Sequence, residues 1–435
     1  MPLNDFGPIS KRRSIFAAKD SSVHFIYDLL VRISWFYLRI VALFHKKINL
    51  FVKGRKQTFS ILGRSLSEDD QVIWMHVASL GEFEQGLPII EKLKVEHPAY
   101  KVLVTFFSPS GYEIKKDTKS ADVVCYLPID TLKNARRFLE KVNPRLAIFV
   151  KYEIWPNFLR ELKRRNVPTL LVSAKFKKNQ IYFKPFGRFM RKVLKAFDHI
   201  FVQDEKSKKL LELIQIKNVT ISGDTRFDRV AQILERDNDN EIIKFFKQDQ
   251  ICLVAGSTWP EDETILVTSI NTSDRPIKWI IAPHNIKADH IEKLKKSITK
   301  KVALYSGLTQ KHKLDYDVII VDNIGLLSQI YSYADLAYVG GGFATGLHNT
   351  LEPAVFGIPV IIGPNYQGFN EAEDLVTKRG IHVITGNDSF EQLLDAFLDR
   401  KPLTFLHETG KINADYVSKN KGASVQIVAH IRTLL

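Results

Sequence analysis

The stretch that decides the fold covers residues 338–364 and reads YVGGGFATGLHNTLEPAVFGIPVIIGP. It predicts a buried strand, a glycine-rich loop, the start of a helix and a second buried strand. Gly340, Gly341 and Gly342 permit positive φ and let the backbone approach a ligand closely. Because a helix N-terminus presents unpaired N–H groups and the positive end of the helix dipole, the loop is predicted to bind an anion such as a phosphate.

The helix after this loop has its own start signals. Asn349 or Thr350 is a predicted cap, and Pro353 suits the first turn. Glu352 has two possible roles, as a capping-box partner of Asn349 or as an acceptor for a ribose hydroxyl, and neither excludes the other.

Short apolar runs rich in β-branched residues recur on both sides of a polar interval, which is typical of βα units around a buried parallel sheet. The first series begins at residues 72, 101, 121, 145, 169 and 199, and the second at 251, 278, 302, 318, 336, 359 and 382. The chain is therefore predicted to be α/β, with two doubly wound Rossmann-like domains facing a central cleft. The predicted divisions are an N-terminal segment 1–56, a first domain 57–228, a linker 229–250 and a second domain 251–435.

Residues 23–44 are long enough to cross a bilayer, but Asp28, Arg32 and Arg39 interrupt them on one helical face. A helix lying in the membrane interface is the favoured interpretation, with a soluble core helix as the alternative. The basic stretch that includes Lys53, Arg55 and Lys56 would then meet anionic headgroups.

A formal charge of +15 and a pI near 9.5 point to an anionic partner. The sequence has no nucleic-acid-binding motif, which leaves a membrane surface or a phosphorylated substrate. Cys125 and Cys252 lie in apolar runs and are predicted to be buried core thiols. The histidines lack metal-ligand spacing, so we expect neither a metal site nor a cofactor.

Several polar residues follow predicted strands, where α/β sheets bind ligands. Glu82 could act as a general base, or it could simply occupy the negative-charge-preferring first turn of a helix. Glu153 could line the same cleft, although a loop salt bridge is the simpler interpretation. The Gly256-Ser257-Thr258 turn is either a phosphate-binding turn or a plain helix cap.

In combination, these motifs resemble those of the Kdo transferases, which move 3-deoxy-D-manno-octulosonic acid (Kdo) from CMP-Kdo onto the lipid A precursor. The resemblance covers almost the whole chain. It rests on the following segments in order: KGRK at 53–56, HVASLGEFE at 76–84, FFSPSGYE at 106–113, YEIWPN at 152–157, SGDTRFD at 222–228, AGST at 255–258, and the GGGF and HNTLEP block. It implies a glycosyltransferase-B fold with an N-terminal membrane-associated helix.

The resemblance also implies residue roles. Glu82 would be the catalytic base, and Glu153 a second acidic residue required on the acceptor side, where Ser79, Gly81 and Lys175 would also lie. The donor CMP-Kdo would be bound by Gly256, Ser257, Thr258, His284, Gly341, Gly342, Phe343, Asn349 and Glu352. The implied partners are CMP-Kdo, the lipid A precursor and an anionic membrane surface, with no nucleic acid, at the cytoplasmic face of a Gram-negative inner membrane.

Two places depart from the family pattern. His284 follows Ala282-Pro283 where the family often has Pro-Arg-His, and Lys175 stands where the family often has an arginine. A lysine cannot reproduce a bidentate arginine contact. The implied reaction is a single inverting displacement without a metal. The alternatives are a UDP-sugar glycosyltransferase of the same fold and a non-catalytic, basic membrane-binding protein.

Overall fold

The computed structural model describes residues 9–309, 315–344, 346–398 and 404–435, with side chains from residue 23 onward. The chain forms two compact units. The first comprises Met1–Arg229 together with Gly422–Leu435, and the second comprises Val230–Lys421.

The first unit is built around a seven-stranded parallel sheet in the order β3-β2-β1-β4-β5-β6-β7. Its strands are β1 Gln71–Val77, β2 Tyr100–Phe106, β3 Val123–Tyr126, β4 Pro144–Val150, β5 Thr169–Ala174, β6 His199–Val202 and β7 Val219–Ile221. Its helices are α1 Ile9–Val41, α2 Lys46–Ser65, α3 Leu80–Glu96, α4 Pro109–Lys115, α5 Leu132–Val142, α6 Pro156–Arg164, α7 Arg188–Leu194 and α8 Glu205–Leu213.

The second unit repeats this architecture, with the order β10-β11-β9-β8-β12-β13-β14. Its strands are β8 Ile251–Thr258, β9 Ile277–Pro283, β10 Val302–Leu304, β11 Val318–Ile320, β12 Leu336–Val339, β13 Val360–Ile362 and β14 Ile381–Val383. Its helices are α10 Glu241–Lys247, α11 Pro260–Thr272, α12 Ala288–Ser297, α13 Leu327–Ile330, α14 Leu351–Ala354, α15 Asn370–Thr377, α16 Asn387–Leu398 and α17 Thr404–Asn420. Helix α9 Thr225–Ala231 contains the division at 229/230, and α18 Ala423–Ile431 belongs to the first unit.

Both sheets are covered on two faces, which explains why their strands read as continuous apolar runs. In β1, Trp74 packs into one core, and Ile73 and Met75 pack into the core on the opposite face. The predicted doubly wound α/β class is confirmed for each unit. The three-residue strand β7 was not predicted.

The predicted domain boundaries differ from the compact units at two places. Residues 230–250, predicted to be a linker, belong to the second unit, where α10 buries Ile243 and Phe246. The last 14 residues lie in the first unit, because Ile427, Val428 and Ile431 of α18 join the core beside α3.

The predicted membrane segment 1–56 also differs from the structure at its C-terminal end. Arg55 was expected to meet headgroups, but its guanidinium is buried, lies 3.5 Å from the centre of the Phe51 ring and donates to the carbonyl of Phe107 at 2.8 Å. Burial lowers the pKa of Arg55 to about 9. The helix that carries it packs into the first unit.

Helix α1 is attached to the first unit by polar groups. The Tyr27 hydroxyl donates to Asp130 at 2.8 Å, and Asp28 accepts from the backbone N–H of Leu132 at 2.7 Å. Trp35 also packs on the Phe51 ring, with ring centres 6.4 Å apart. Other large apolar residues of α1 are exposed: Phe25, Ile26, Leu29, Leu30, Ile33, Phe36, Tyr37 and Ile40. No helix among the described residues is both long enough and apolar enough to span a bilayer.

Candidate active site

The first unit places its candidate catalytic residues where its strand order reverses. Strands β1 and β4 are neighbours, but the chain continues from them toward opposite edges of the sheet. Such a switch point leaves a crevice at the carboxyl ends of the two strands. Glu82 follows β1 and Glu153 follows β4, so both predicted carboxylates lie at this crevice.

Glu82 is the third residue of α3, so it lies in the first turn of the helix and not in the strand-to-helix turn predicted for it. Its Oε2 accepts a 2.5 Å hydrogen bond from the backbone N–H of Ala78. It therefore contributes to capping, which the sequence had left as an alternative to catalysis. Burial, and then the charge of Glu153, raises the pKa of Glu82 to about 7, against opposing effects from the Ala78 N–H and Lys151.

A carboxyl group with this pKa is suited to general base catalysis near neutral pH. Within the described residues no group donates a hydrogen bond to the second oxygen, Oε1 of Glu82. The capping role and the basic role can therefore be divided between the two oxygens.

Glu153 is held by two ring N–H groups. Its Oε2 lies 3.0 Å from Nε2 of His76 and accepts from Nε1 of Trp155 at 2.9 Å. The alternative predicted for Glu153 was a loop salt bridge, and the partners that the structure gives it are these two rings. Sequence reasoning missed both partners: His76 points across the sheet from β1, and its spacing from Glu153 carries no local signal.

The predicted acceptor-side residues lie along the same edge. Ser79 is the N-cap of α3, Gly81 is the second residue of that helix, and Lys175 directly follows β5. A side chain on Gly81 would meet no atom within 4 Å, so this surface of the helix start is open.

The loop after β7 adds charged groups that had no assigned role in the sequence. Asp224 is buried, receives a 2.9 Å hydrogen bond from Nε of Arg226 and accepts from Gln85 of α3 at 3.1 Å. Burial, and then the charges of Asp204, Glu82 and Asp224, raise the pKa of Tyr152, with Arg226 opposing them, so these charged groups surround one end of the sheet.

The second unit has its own switch point, between β8 and β12. Gly256, Ser257 and Thr258 end β8, and the glycine loop begins directly after β12. The two predicted phosphate-binding segments are therefore adjacent. Ser257 has φ +55°, a left-handed conformation that is uncommon for a residue with a side chain and tends to occur at functional sites.

The three glycines of the loop have different structural reasons. Gly341 has φ +92°, as predicted for this loop. A Cβ on Gly340 would lie 2.4 Å from the Ser257 carbonyl oxygen, and one on Gly342 would lie 2.7 Å from the backbone nitrogen of Gly363. Gly340 and Gly342 therefore allow the loop to pack against other backbone. The sequence had suggested instead that they let the backbone approach a ligand.

Asp262 holds the glycine loop in place, a role that was not predicted from the sequence. It is fully buried and accepts from the backbone N–H of Trp259 and of Gly341, both at 2.9 Å, and from the Tyr338 hydroxyl at 2.7 Å. It thereby joins the start of α11 to the glycine loop. Its position three residues after Trp259 is the spacing of a capping box, which was the available signal.

The helix predicted after the loop is short. Helix α14 has four residues, so the dipole at its N-terminus is weak and adds little to the predicted anion binding. Asn349 accepts from Leu351 N–H at 3.2 Å and donates to Glu352 at 3.0 Å. Glu352 also accepts from Ser328 at 2.8 Å. The capping interaction therefore uses the Asn349 amide, and the ribose role of Glu352 stays a prediction.

An aromatic stack stands beside this loop. His284 lies over Trp259, with ring centres 4.6 Å apart and planes 19° apart, and His348 follows at 4.7 Å from His284. The indole N–H of Trp259 donates to Nε2 of His348 at 3.0 Å. Burial and the nearby His284 lower the pKa of His348, which keeps the ring neutral and able to accept. Phe343, a predicted donor contact, packs partly against the core of this unit.

The remaining predictions on reactive groups concern cysteine and metal. Cys125 and Cys252 are free and fully buried, and burial raises the pKa of both thiols. This confirms them as core residues. Among the residues whose placement is described, no group of three or more His, Cys, Asp or Glu side chains is arranged to bind a metal ion.

Comparison with known proteins assigns the fold and the family. The chain aligns with the crystal structure of MurG from Acinetobacter baumannii with a TM-score of 0.53, at 12% identity, covering 84% of this chain and 99% of that one. This likeness concerns the fold alone. Two doubly wound parallel units with loops at their switch points make up the glycosyltransferase-B type of fold.

The particular family follows from the sequence relatives. Residues 53–229 match the family model described as 3-deoxy-D-manno-octulosonic-acid transferase (kdotransferase). The 3-deoxy-D-manno-octulosonic acid transferase of Aquifex aeolicus is 30% identical over 82% of this chain and 94% of its own length. That of Haemophilus influenzae is 26% identical over 94% of this chain and 98% of its own. The chain belongs to the Kdo transferase family and is a Kdo-transferring glycosyltransferase.

Proposed function

We propose that the protein transfers Kdo from CMP-Kdo to a hydroxyl of the lipid A precursor lipid IVA, with inversion at the anomeric carbon and with Glu82 as the general base. The observation that carries this proposal is the buried Glu82 carboxyl at the β1/β4 switch point, whose pKa is raised to about 7. A base must lose its own proton near the working pH and still accept one from an alcohol as the sugar departs, and this pKa allows both.

In the proposed reaction, Glu82 takes the proton of the acceptor hydroxyl while the oxygen forms its bond to the anomeric carbon. The bond from that carbon to the CMP phosphate oxygen breaks, and the electron pair leaves with CMP. The backbone N–H groups of the β8 end and of the glycine loop are suited to hold the phosphate. A monophosphate leaving group carries less charge than a diphosphate, so the proposal requires no metal.

We also propose that the enzyme works at the cytoplasmic face of the inner membrane. The exposed apolar side chains of α1 and the attachment of this helix through Tyr27 and Asp28 support this location, because the exposed apolar side chains can enter a lipid layer while the helix stays attached to the protein. The formal charge of +15 would favour an anionic lipid surface.

The decisive experiment is incubation of the purified protein with CMP-Kdo and tetraacyl lipid IVA, followed by mass analysis of the lipid. We expect the acceptor to gain the mass of Kdo, with equal rates in the presence and absence of EDTA. CMP should compete with the donor and UDP should not. Competition by UDP alone would favour a UDP-sugar enzyme, and no transfer with vesicle binding intact would favour a non-catalytic membrane protein.

A further inference from the structure

We propose that His76 is the positioning residue of the active site: through its Nε2–H group, it fixes the carboxylate of Glu153 beside Glu82. This inference rests on the proposed function, because it concerns how the same site is held in its working geometry. It starts from a chain of side-chain hydrogen bonds that crosses the first sheet from its core to its carboxyl edge.

The chain begins at the buried indole of Trp74. Its Nε1–H donates to Oγ1 of Thr105 at 2.8 Å, and the same Oγ1 lies 2.8 Å from Nδ1 of His76. At the other side of the ring, Nε2 of His76 lies 3.0 Å from Oε2 of Glu153. His76 and Thr105 are fully buried, so water cannot replace any of these partners.

These contacts place a hydrogen on Nε2 of His76. Oε2 of Glu153 also accepts the N–H of Trp155 and is therefore an acceptor, so Nε2 must donate to it. Nδ1 faces two oxygens of Thr105, the hydroxyl at 2.8 Å and the backbone carbonyl at 3.0 Å, and these hold the other side of the ring. The contact with Glu153 therefore depends on the Nε2–H group.

Oε2 of Glu153 is therefore hydrogen-bonded to two rings, those of His76 and Trp155. Both rings are held in place by packing. Trp155 packs on Phe107 with ring centres 4.9 Å apart, and Phe107 lies under the buried guanidinium of Arg55. The His76 ring packs edge-on against the Phe149 ring, with ring centres 5.9 Å apart. A carboxylate held in this way presents its charge to Glu82 in one orientation.

Two substitutions at position 76 separate positioning from simple structural support. In H76Q the amide nitrogen can occupy nearly the place of Nε2 and still donate to Glu153. In H76N the shorter amide reaches only the place of Nδ1, which preserves the contact with Thr105 and leaves Glu153 without its donor. Both variants put an uncharged amide in the same buried space.

We expect H76N to lower kcat by about 10- to 100-fold, with KM for donor and acceptor within about twofold of wild type, because only the geometry of the reacting groups changes. H76Q should recover most of the lost rate. Equal activity of H76N and wild type would overturn the inference, and so would an equal loss in both variants at unchanged thermal stability.

A measurement without substrate distinguishes failure of this inference from failure of the proposed function. In 15N-histidine-labelled protein, the His76 signals, assigned by their disappearance in H76Q, should show a protonated Nε2. An unprotonated Nε2 in wild type would overturn the inference even if Kdo is transferred. A wild-type protein with a protonated Nε2 but no transfer would contradict only the proposed function.

Discussion

At the scale of single residues, Glu82 has opposite effects on catalysis and on folding. Burial raises its pKa from 4.5 to about 7, so the folded state holds this proton more tightly than the unfolded chain does. The stabilising contribution of the protonated group is complete below pH 4.5 and is lost as the pH rises through about 7. Above that pH the ionised group lowers the free energy of unfolding by about 3 kcal/mol relative to an unperturbed carboxyl.

Replacing Glu82 with Gln should therefore reduce activity and increase stability. We expect kcat to fall by about 10²- to 10⁴-fold, the usual contribution of a general base. The free energy of unfolding at pH 8 should rise by up to about 3 kcal/mol, because no buried charge remains. Transfer assays and urea denaturation at pH 5 and pH 8 check both parts, and the gain in stability should shrink at pH 5.

Glu84, two residues further along α3, is the matched control. It pairs with Lys115 at 2.9 Å and with Arg229 at 2.8 Å, and these cations lower its pKa despite partial burial. Its contribution to stability is present above pH 4.5 and is lost as the pH falls through its lowered folded-state pKa. E84Q should retain transfer and lose stability at pH 8. A stability change of the same sign in E82Q and E84Q would contradict this account of Glu82.

The wild-type pH profile provides a separate test. Because the base must be unprotonated, kcat/KM should rise as the pH increases through about 7 and then level off. Rates measured with saturating CMP-Kdo and varied acceptor from pH 5 to pH 9 would show the inflection. A rate that stays level from pH 5 to pH 9 would show that the pKa of Glu82 is not raised in the complex of the enzyme with CMP-Kdo.

The sequence located Glu82 and Glu153 because a carboxylate after a buried strand is a local pattern. It could not locate their partners in the same way. His76 and Glu153 are separated by 77 positions, and their contact depends on β1 and β4 being neighbours. Hydrogen bonds across a sheet follow from strand order, which apolar periodicity does not specify.

At the scale of elements, α2 shows how a motif can have a structural rather than a binding reason. A Cβ on Gly54 would lie 2.1 Å from the ring of Tyr126, so glycine is required for the helix to pack against β3. Arg55 beside it is buried among aromatic rings. Charge alone suggested a headgroup contact for this stretch, because composition does not show which face of a helix is covered.

Gly54 and Gly63 therefore make a matched pair within one helix. We expect Gly54→Ala to lower the free energy of unfolding by about 1–3 kcal/mol, since the ring of Tyr126 must move. At Gly63 a Cβ would meet nothing within 4 Å. Gly63→Ala should therefore raise the free energy of unfolding by about 0.5–1 kcal/mol, because alanine has the higher helix propensity. Chemical denaturation of the two variants measures this difference, and similar values for both would show that Gly54 is not in close contact.

Helix α1 carries the prediction on membrane binding. Leu30 and Phe36 are 57% and 65% exposed, so their replacement leaves the fold unchanged. We expect the Leu30→Ser, Phe36→Ser double variant to bind vesicles of phosphatidylethanolamine and phosphatidylglycerol about 100-fold more weakly, because two apolar side chains no longer enter the lipid. Val95→Ser in α3 removes an apolar residue elsewhere that is 81% exposed and serves as the control. Equal binding by all three proteins would exclude α1 as the membrane contact.

At the scale of the whole molecule, the two α/β units were predictable from their repeating apolar runs, and their exact membership was not. Each run reports burial of a strand on two faces, which is a property of the local sequence. The return of the chain end to the first unit is a property of its path. Asp228 fixes that return by accepting from the N–H groups of Gly422 and Ser424 at 2.9 and 3.3 Å.

Because the chain end completes the core of the first unit, a substitution near the C-terminus should weaken the N-terminal sheet. Ile427 is fully buried with Phe83 and Ile90 in the core beside α3, whereas Val425 of the same helix is 52% exposed. We expect Ile427→Ala to lower the free energy of unfolding of this unit by about 2–5 kcal/mol through loss of packing. Val425→Ala should change it by no more than about 0.5 kcal/mol. Hydrogen exchange of the β1 and β2 amides in the two variants would show whether the first sheet is destabilised. Unchanged protection in Ile427→Ala would mean that the core of the first unit is stable without the packing of α18.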